Sequence, residues 1–98
     1  MIRVEIIANQ SVEELIKNNL EAVIPDFYYT VIPLVYGRGS DARKLGTTTW
    51  PETNFILIAY CDDKYEIEVS AVVEYVKSKF KDDGIKLFVL HEKDLSKS

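Results

Sequence analysis

The 98-residue chain contains one cysteine, one histidine, one tryptophan and one methionine. With Cys61 alone, no disulfide can close within the chain, and a reducing cytosol is the expected setting. A single histidine, His91, leaves no Ser-His-Asp order and no HExxH, and there is no Walker motif. Cys61 has no base beside it, and Glu13-Glu14 and Asp82-Asp83 read as a helix start and a turn. Catalysis is therefore not expected. No run of eighteen apolar residues is present, so membrane insertion is not expected either. The opening run Met1 to Ala8 has strand character and lacks the apolar core and small-residue cleavage site of a signal peptide, which predicts a cytoplasmic location. Twelve Lys and Arg are scattered among sixteen Asp and Glu, for a net charge of −4. No basic stripe can be drawn from them, so nucleic acid is not an expected partner.

What is present is the composition of an ordinary globular protein, 47% hydrophobic and 29% charged. A chain of this length buries roughly 60–70% of its unfolded surface, enough for one core without metal or disulfide. Residues 1–98 read as a single domain.

Ile2, Val4, Ile6 and Ala8 alternate with Arg3 and Glu5, the period of a strand, while Ile7 puts an apolar group on the second face. Ser11-Val-Glu-Glu14 has the form of a capping box, and Val12, Leu15, Ile16, Leu20, Val23 and Ile24 follow at helical spacing until Pro25. Phe27 to Tyr36 is β-branched and aromatic, a strand whose Pro33 demands a sheet edge or a bulge. Residues 37–53 form a long loop, and Asn54 to Cys61 a continuous apolar strand. Asp62 and Asp63 start a second helix, with a stripe of Tyr65, Val69, Val72, Val73, Val76 and Phe80 and with Lys77, Lys79 and Lys81 at its end. Asp83-Gly84 reads as a turn, Ile85 to Leu90 as the last strand, and 91–98 as a frayed tail. The order β-α-β-β-α-β predicts an α+β, ferredoxin-like fold, a four-stranded antiparallel sheet with both helices on one face.

Two helices cover one side of such a sheet, yet the strands are apolar on both. Ile56, Ile58 and Tyr60 oppose Phe55, Leu57 and Ala59, and Phe88 and Leu90 oppose Leu87 and Val89. Left bare, the second face exceeds the apolar patch normal for a monomer. Burial against another copy is the economical reading, and a groove for a partner or an apolar ligand is the alternative.

Gly37-Arg38-Gly39 reads either as a turn leaving a strand or as an anion-binding segment, with Arg43 and Lys44 nearby. Trp50-Pro51 reads as an anchor for the loop or as a platform for a partner. Cys61, Asp62, Asp63 and His91 invite a metal reading. Opposing it, helix capping accounts for the aspartates, and the last two strands are expected to end far apart, so no metal site is assigned.

Several short segments resemble the PII-type signalling proteins. Thr30-Val31 followed by Tyr36-Gly37-Arg38 is similar to that family's Thr-Val and Phe-Gly-Arg. Asp83-Gly84 with Lys86-Leu87-Phe88-Val89 is similar to its Asp-Gly-Lys-Ile-Phe-Val, and Val4-Glu5-Ile6-Ile7 to its first strand. The glycine-rich run of the family is replaced here by Phe80-Lys81-Asp82. The resemblance implies a homotrimer with inward-facing sheets and a small anionic effector, an adenine nucleotide (ATP, ADP or AMP), bound between subunits. It nominates Thr30, Gly37, Arg38, Gly84 and Lys86 as ligand-binding residues, with Gly39 beside them. It also implies a non-enzymatic regulator that signals to a partner protein through loop 37–53. The divalent-cation-tolerance trimers of CutA type share the plan and supply the alternative, a metal-binding protein.

Overall fold

The computed structural model of the chain describes residues 1–36 and 53–93. Strand β1 spans Ile2–Asn9, helix α1 Glu13–Val23, strand β2 Tyr29–Tyr36, strand β3 Thr53–Cys61, helix α2 Glu66–Lys79 and strand β4 Ile85–His91. The sheet order is β2-β3-β1-β4, every neighbouring pair antiparallel. This is the ferredoxin-like arrangement expected from the pattern. Its two β-α-β halves interlock because each contributes one central strand.

Strand β1 sits between β3 and β4, and its even residues define the core. Ile2, Val4 and Ile6 are fully buried, as are Phe55 and Leu57 of β3. Ile6 lies opposite Leu57 on one side and Leu87 on the other. The helices close this face with Val12, Ile16, Leu20 and Ile24 from the first half and Val69, Val72, Val73 and Val76 from the second. Val23 and Phe80, counted in the apolar stripes from their spacing, are 43% and 38% exposed. They sit at the last turn of α1 and just past α2, where the stripe rotates away from the sheet.

Each helix is entered through a short 3-10 turn capped from the end of the preceding strand. Asn9 accepts a hydrogen bond from the Ser11 N–H at 2.9 Å, and Asp62 accepts one from the Lys64 N–H at 3.0 Å. The capping box at Ser11 does not form. The cap falls two residues earlier, and the Ser11 hydroxyl donates to Asp83 instead, at 3.2 Å. Helix α1 ends as expected ahead of Pro25, with Ile24 already extended at φ −116° and ψ 110°. The turn before β4 lies earlier than Asp83-Gly84: the Asp83 N–H donates to the Phe80 carbonyl at 3.1 Å.

Both expectations for Pro33 hold. β2 is an edge strand, and its register against β3 shifts between Ile32, opposite Ile56, and Val35, opposite Asn54. One extra residue is accommodated there, where a proline has no N–H for the ladder. At the other edge, the ladder runs one bond past the expected strand end. His91 belongs to β4, and the Glu92 N–H donates to the Met1 carbonyl at 3.1 Å.

Because Ile6 packs at the crossing of three strands, Ile6→Ala is expected to lower the unfolding free energy by about 2–5 kcal/mol. Urea titration followed by circular dichroism measures it, and an unchanged midpoint would show that β1 is not the core strand.

Candidate functional site

The face of the sheet opposite the helices is bare in a single chain. Across it, the register sets residues in rows. Leu90, Arg3 and Tyr60 form one row, Phe88, Glu5, Ile58 and Thr30 the next, and Lys86, Ile7, Ile56 and Ile32 the third. Tyr60, Phe88 and Leu90 are each more than half exposed, and Ile32 is 42% exposed. Arg3 and Glu5 break this apolar surface at its centre and neutralise one another. The Arg3 Nε donates to Glu5 at 2.9 Å, and the Arg3 Nη1 donates to the Tyr60 hydroxyl at 2.7 Å. The Glu5 carboxylate holds the Arg3 guanidinium above its already high ordinary value.

The sequence-nominated residues fall in two places. Thr30 is exposed on this open face in β2, at one edge of the sheet. Lys86 is exposed on the same face in β4, at the opposite edge, with Gly84 two residues before it. Three strand spacings separate the two edges, about 14 Å. One chain therefore does not bring Thr30 and Lys86 together. Gly37, Arg38 and Gly39 lie outside the described residues, as do Arg43, Lys44 and Trp50. Their departure point is nevertheless fixed, since Tyr36 pairs with Thr53 at the end of the sheet where Ala8 meets Ile85. The loop base and the Gly84 turn thus share one end of the molecule.

Two contacts join them. The Gln10 side-chain amide donates to the Pro33 carbonyl, inside the β2 bulge. Its neighbour Ser11 donates to Asp83, the residue before Gly84. Gln10 is not singled out by its sequence context, and Ser11 is singled out there only as a helix cap. The signal was hidden because Ser11 matches a capping pattern so well.

Gly84 is not required by the fold. Its φ is not positive, and a Cβ placed there meets nothing within 4 Å. In a single chain the position faces open space. Gly84→Ala is expected to keep or raise the unfolding free energy, by about 0.4–1 kcal/mol, through the stiffer unfolded chain. A loss of stability in thermal unfolding would show that the fold itself needs the glycine.

The opposite end of the sheet holds a cavity of about 260 Å3, lined by Met1, Ile2, Arg3, Tyr60, Leu90, His91 and Glu92. It lies at the opposite end of the sheet from Gly84 and the loop base, while Thr30 stands one row from its Tyr60. The structure also corrects the expectation for this end. Cys61 and His91 are not at distant ends of the sheet, because both pair with Ile2. β3 and β4 run parallel to each other, one on either side of β1. Ile2 stands between them, and the His91 Nε2 is engaged with the Glu66 carboxylate at 3.0 Å. Among the described residues no three His, Cys, Asp or Glu side chains gather as metal ligands do.

Partial burial pushes the Cys61 thiol up from its ordinary range, and the neighbouring Asp62 carboxylate adds to it. The thiolate fraction at neutral pH is correspondingly small. Iodoacetamide labelling of the native protein is expected to show a pH midpoint above the value of about 8.5 for a free thiol. A midpoint at or below that value would mean that the site is wetter than its packing indicates.

No sequence-family model matches the chain, and no curated protein does. Solved structures do. The chain is a ferredoxin-like βαββαβ domain of the kind built by PII-like proteins, and two of these are among its neighbours. CPII from Thiomonas intermedia K12, bound to ADP, AMP and acetate, superposes with a TM-score of 0.64 at 20% identity, over 91% of this chain and 82% of its own. A protein from Thermus thermophilus described as PII-like signalling gives a TM-score of 0.59 at 19% identity, over 90% and 82%. The de novo designed protein Foldit4 reaches a TM-score of 0.62 at 13% identity, over 94% and 98%. That a designed chain fits as well shows that these likenesses define the fold and leave the ligand to be argued from the site. No helix among the described residues is long and apolar enough to cross a membrane.

Proposed function

We propose that the chain is a PII-like regulatory protein that assembles as a trimer and binds an adenine nucleotide between subunits. One observation carries the reading. Thr30 and Lys86 stand on the same bare apolar face but at opposite edges of the sheet. Only the β2 edge of one copy set against the β4 edge of another can close a site from both. The same contact covers Ile32, Tyr60, Phe88 and Leu90, whose exposure a lone chain leaves unexplained. CPII, similar in fold, has been solved with ADP, AMP and bicarbonate, and that chemistry suits the residues here. Arg38 and Lys86 bring positive charge, and Gly37, Gly39 and Gly84 let backbone N–H groups approach a phosphate. The nucleotide then signals through the loop at residues 37–53 to a partner protein, with no reaction catalysed.

The mass in solution tests the assembly and ADP titration tests the site. Light scattering is expected to give three times the 11.2 kDa of one chain. ADP at about a hundred times its dissociation constant adds roughly 2.7 kcal/mol per site and raises the melting temperature by several degrees. Arg38→Ala or Lys86→Ala is expected to weaken ADP binding by about 1.5–3 kcal/mol each. Gly84→Ala is expected to weaken it without loss of stability. A trimer that gains no stability from ADP, ATP or AMP would overturn the nucleotide reading while leaving the assembly standing. Equilibrium dialysis against divalent copper, zinc and cobalt decides the metal alternative, with no stoichiometric uptake expected.

A further inference from the structure

We infer that Gln10 and Ser11 form a strap between the two arms that one chain lends to neighbouring intersubunit sites, holding the bulged end of β2 in place against the Asp83-Gly84 segment that leads into β4 and Lys86. The part of this that concerns the ligand rests on the nucleotide reading; the strap itself rests on geometry alone.

β2 and β4 are the two edges of the sheet and share no ladder. Each is tied to the centre only through its single inner neighbour. At the end where the loop departs, β2 is also weakened by its own bulge, since Ile32 and Val35 bracket the shift in register. An edge strand interrupted by a bulge and by a residue without an N–H is free to shift at its end unless something else holds it. Gln10 does so. It stands just past the end of β1, and its side-chain amide reaches the Pro33 carbonyl, in the extra stretch that the β3 ladder leaves over. The next residue, Ser11, donates its hydroxyl in the other direction, to Asp83 at 3.2 Å. Asp83 is anchored on its other side by its N–H to the Phe80 carbonyl at 3.1 Å.

Both reaching residues belong to one rigid unit. Asn9 caps the Ser11 N–H at 2.9 Å, which fixes the 3-10 turn Gln10–Val12, and Val12 is fully buried in the core. A displacement of the Asp83 turn is thus passed through two adjacent residues to the Pro33 carbonyl, a path that crosses the sheet without using its ladder. Ligand contact at Gly84 and Lys86 is felt at the end of β2, three residues beyond Pro33, where residue 37 begins. Gln10 and Ser11 are positioning residues. They touch no ligand and set where the chain's two arms stand relative to each other.

The test is hydrogen exchange of the full-length protein, read amide by amide, for Gln10→Met, which keeps the side-chain length and removes the donor, and for Ser11→Ala. If each bond served only its own element, Gln10→Met would alter exchange in β2 alone and Ser11→Ala in residues 83–86 alone. The strap predicts crossed effects. Gln10→Met speeds exchange at Ile85 and Lys86, and Ser11→Ala speeds it at Ile32 and Val35, each by about threefold or more, the scale of one lost hydrogen bond. The double variant shows less than the sum of the two. Purely local effects would overturn the strap. With ADP added, the wild type is expected to change exchange from Ile32 to Tyr36, and Gln10→Met, at an ADP concentration that saturates it, to lose that response. A response retained in Gln10→Met overturns the strap as well. Absence of ADP binding in the wild type counts against the nucleotide reading, and the ligand-free crossed effects then decide the strap by themselves.

Discussion

Everything in this molecule hangs on the double pairing of β1. One eight-residue strand is bonded along both sides, to β3 and to β4, and its even side chains belong to the core that both helices close. Because β1 is saturated on both edges and buried on one face, its other face is all that it has left to offer. That face carries Arg3, Glu5 and Ile7. The ion pair of Arg3 with Glu5 keeps a charged couple in the middle of an apolar field, already satisfied and therefore able to lie under a second molecule without a stranded charge. The architecture thus presents a finished core on one side and an unfinished surface on the other.

The helical side was legible in the residues because both periods are clean there. Ile2, Val4, Ile6 and Ala8 alternate without error, and Val69, Val72, Val73 and Val76 recur at helical spacing. Pro33 announced its strand position through its missing N–H alone. The open face was legible for the same reason: parity places Thr30, Ile58 and Phe88 opposite the core, and the register agrees.

What the residues could not supply was the third dimension of the ends. Whether Cys61 and His91 are near or far depends on strand order and direction together, and only the shared partner Ile2 reveals that they flank one strand. Asn9 and Ser11 are both good capping residues, and their order along the chain does not say which will cap, because that depends on where β1 stops. Thr30 and Lys86 can be assigned to one face by counting. That they stand at opposite edges is a fact of topology. The Gln10 contact is invisible for a related reason, since its acceptor is a main-chain carbonyl that any residue could supply.

The bulge in β2 has a bearing on how copies of this chain can meet. Sheets grow without limit when both edges present regular rows of donors and acceptors, for each added copy then exposes a fresh edge to the next. Here the two edges are unlike. β4 is regular from Ile85 to His91, while β2 is broken by Pro33 and the shifted register. A ladder continued from β4 to β4 would leave only two interrupted edges, so regular strand pairing could not extend beyond such a pair. Endless growth of the ladder is thereby hindered by one proline, whereas contacts made through side chains, such as the one proposed between the β2 and β4 edges, are not.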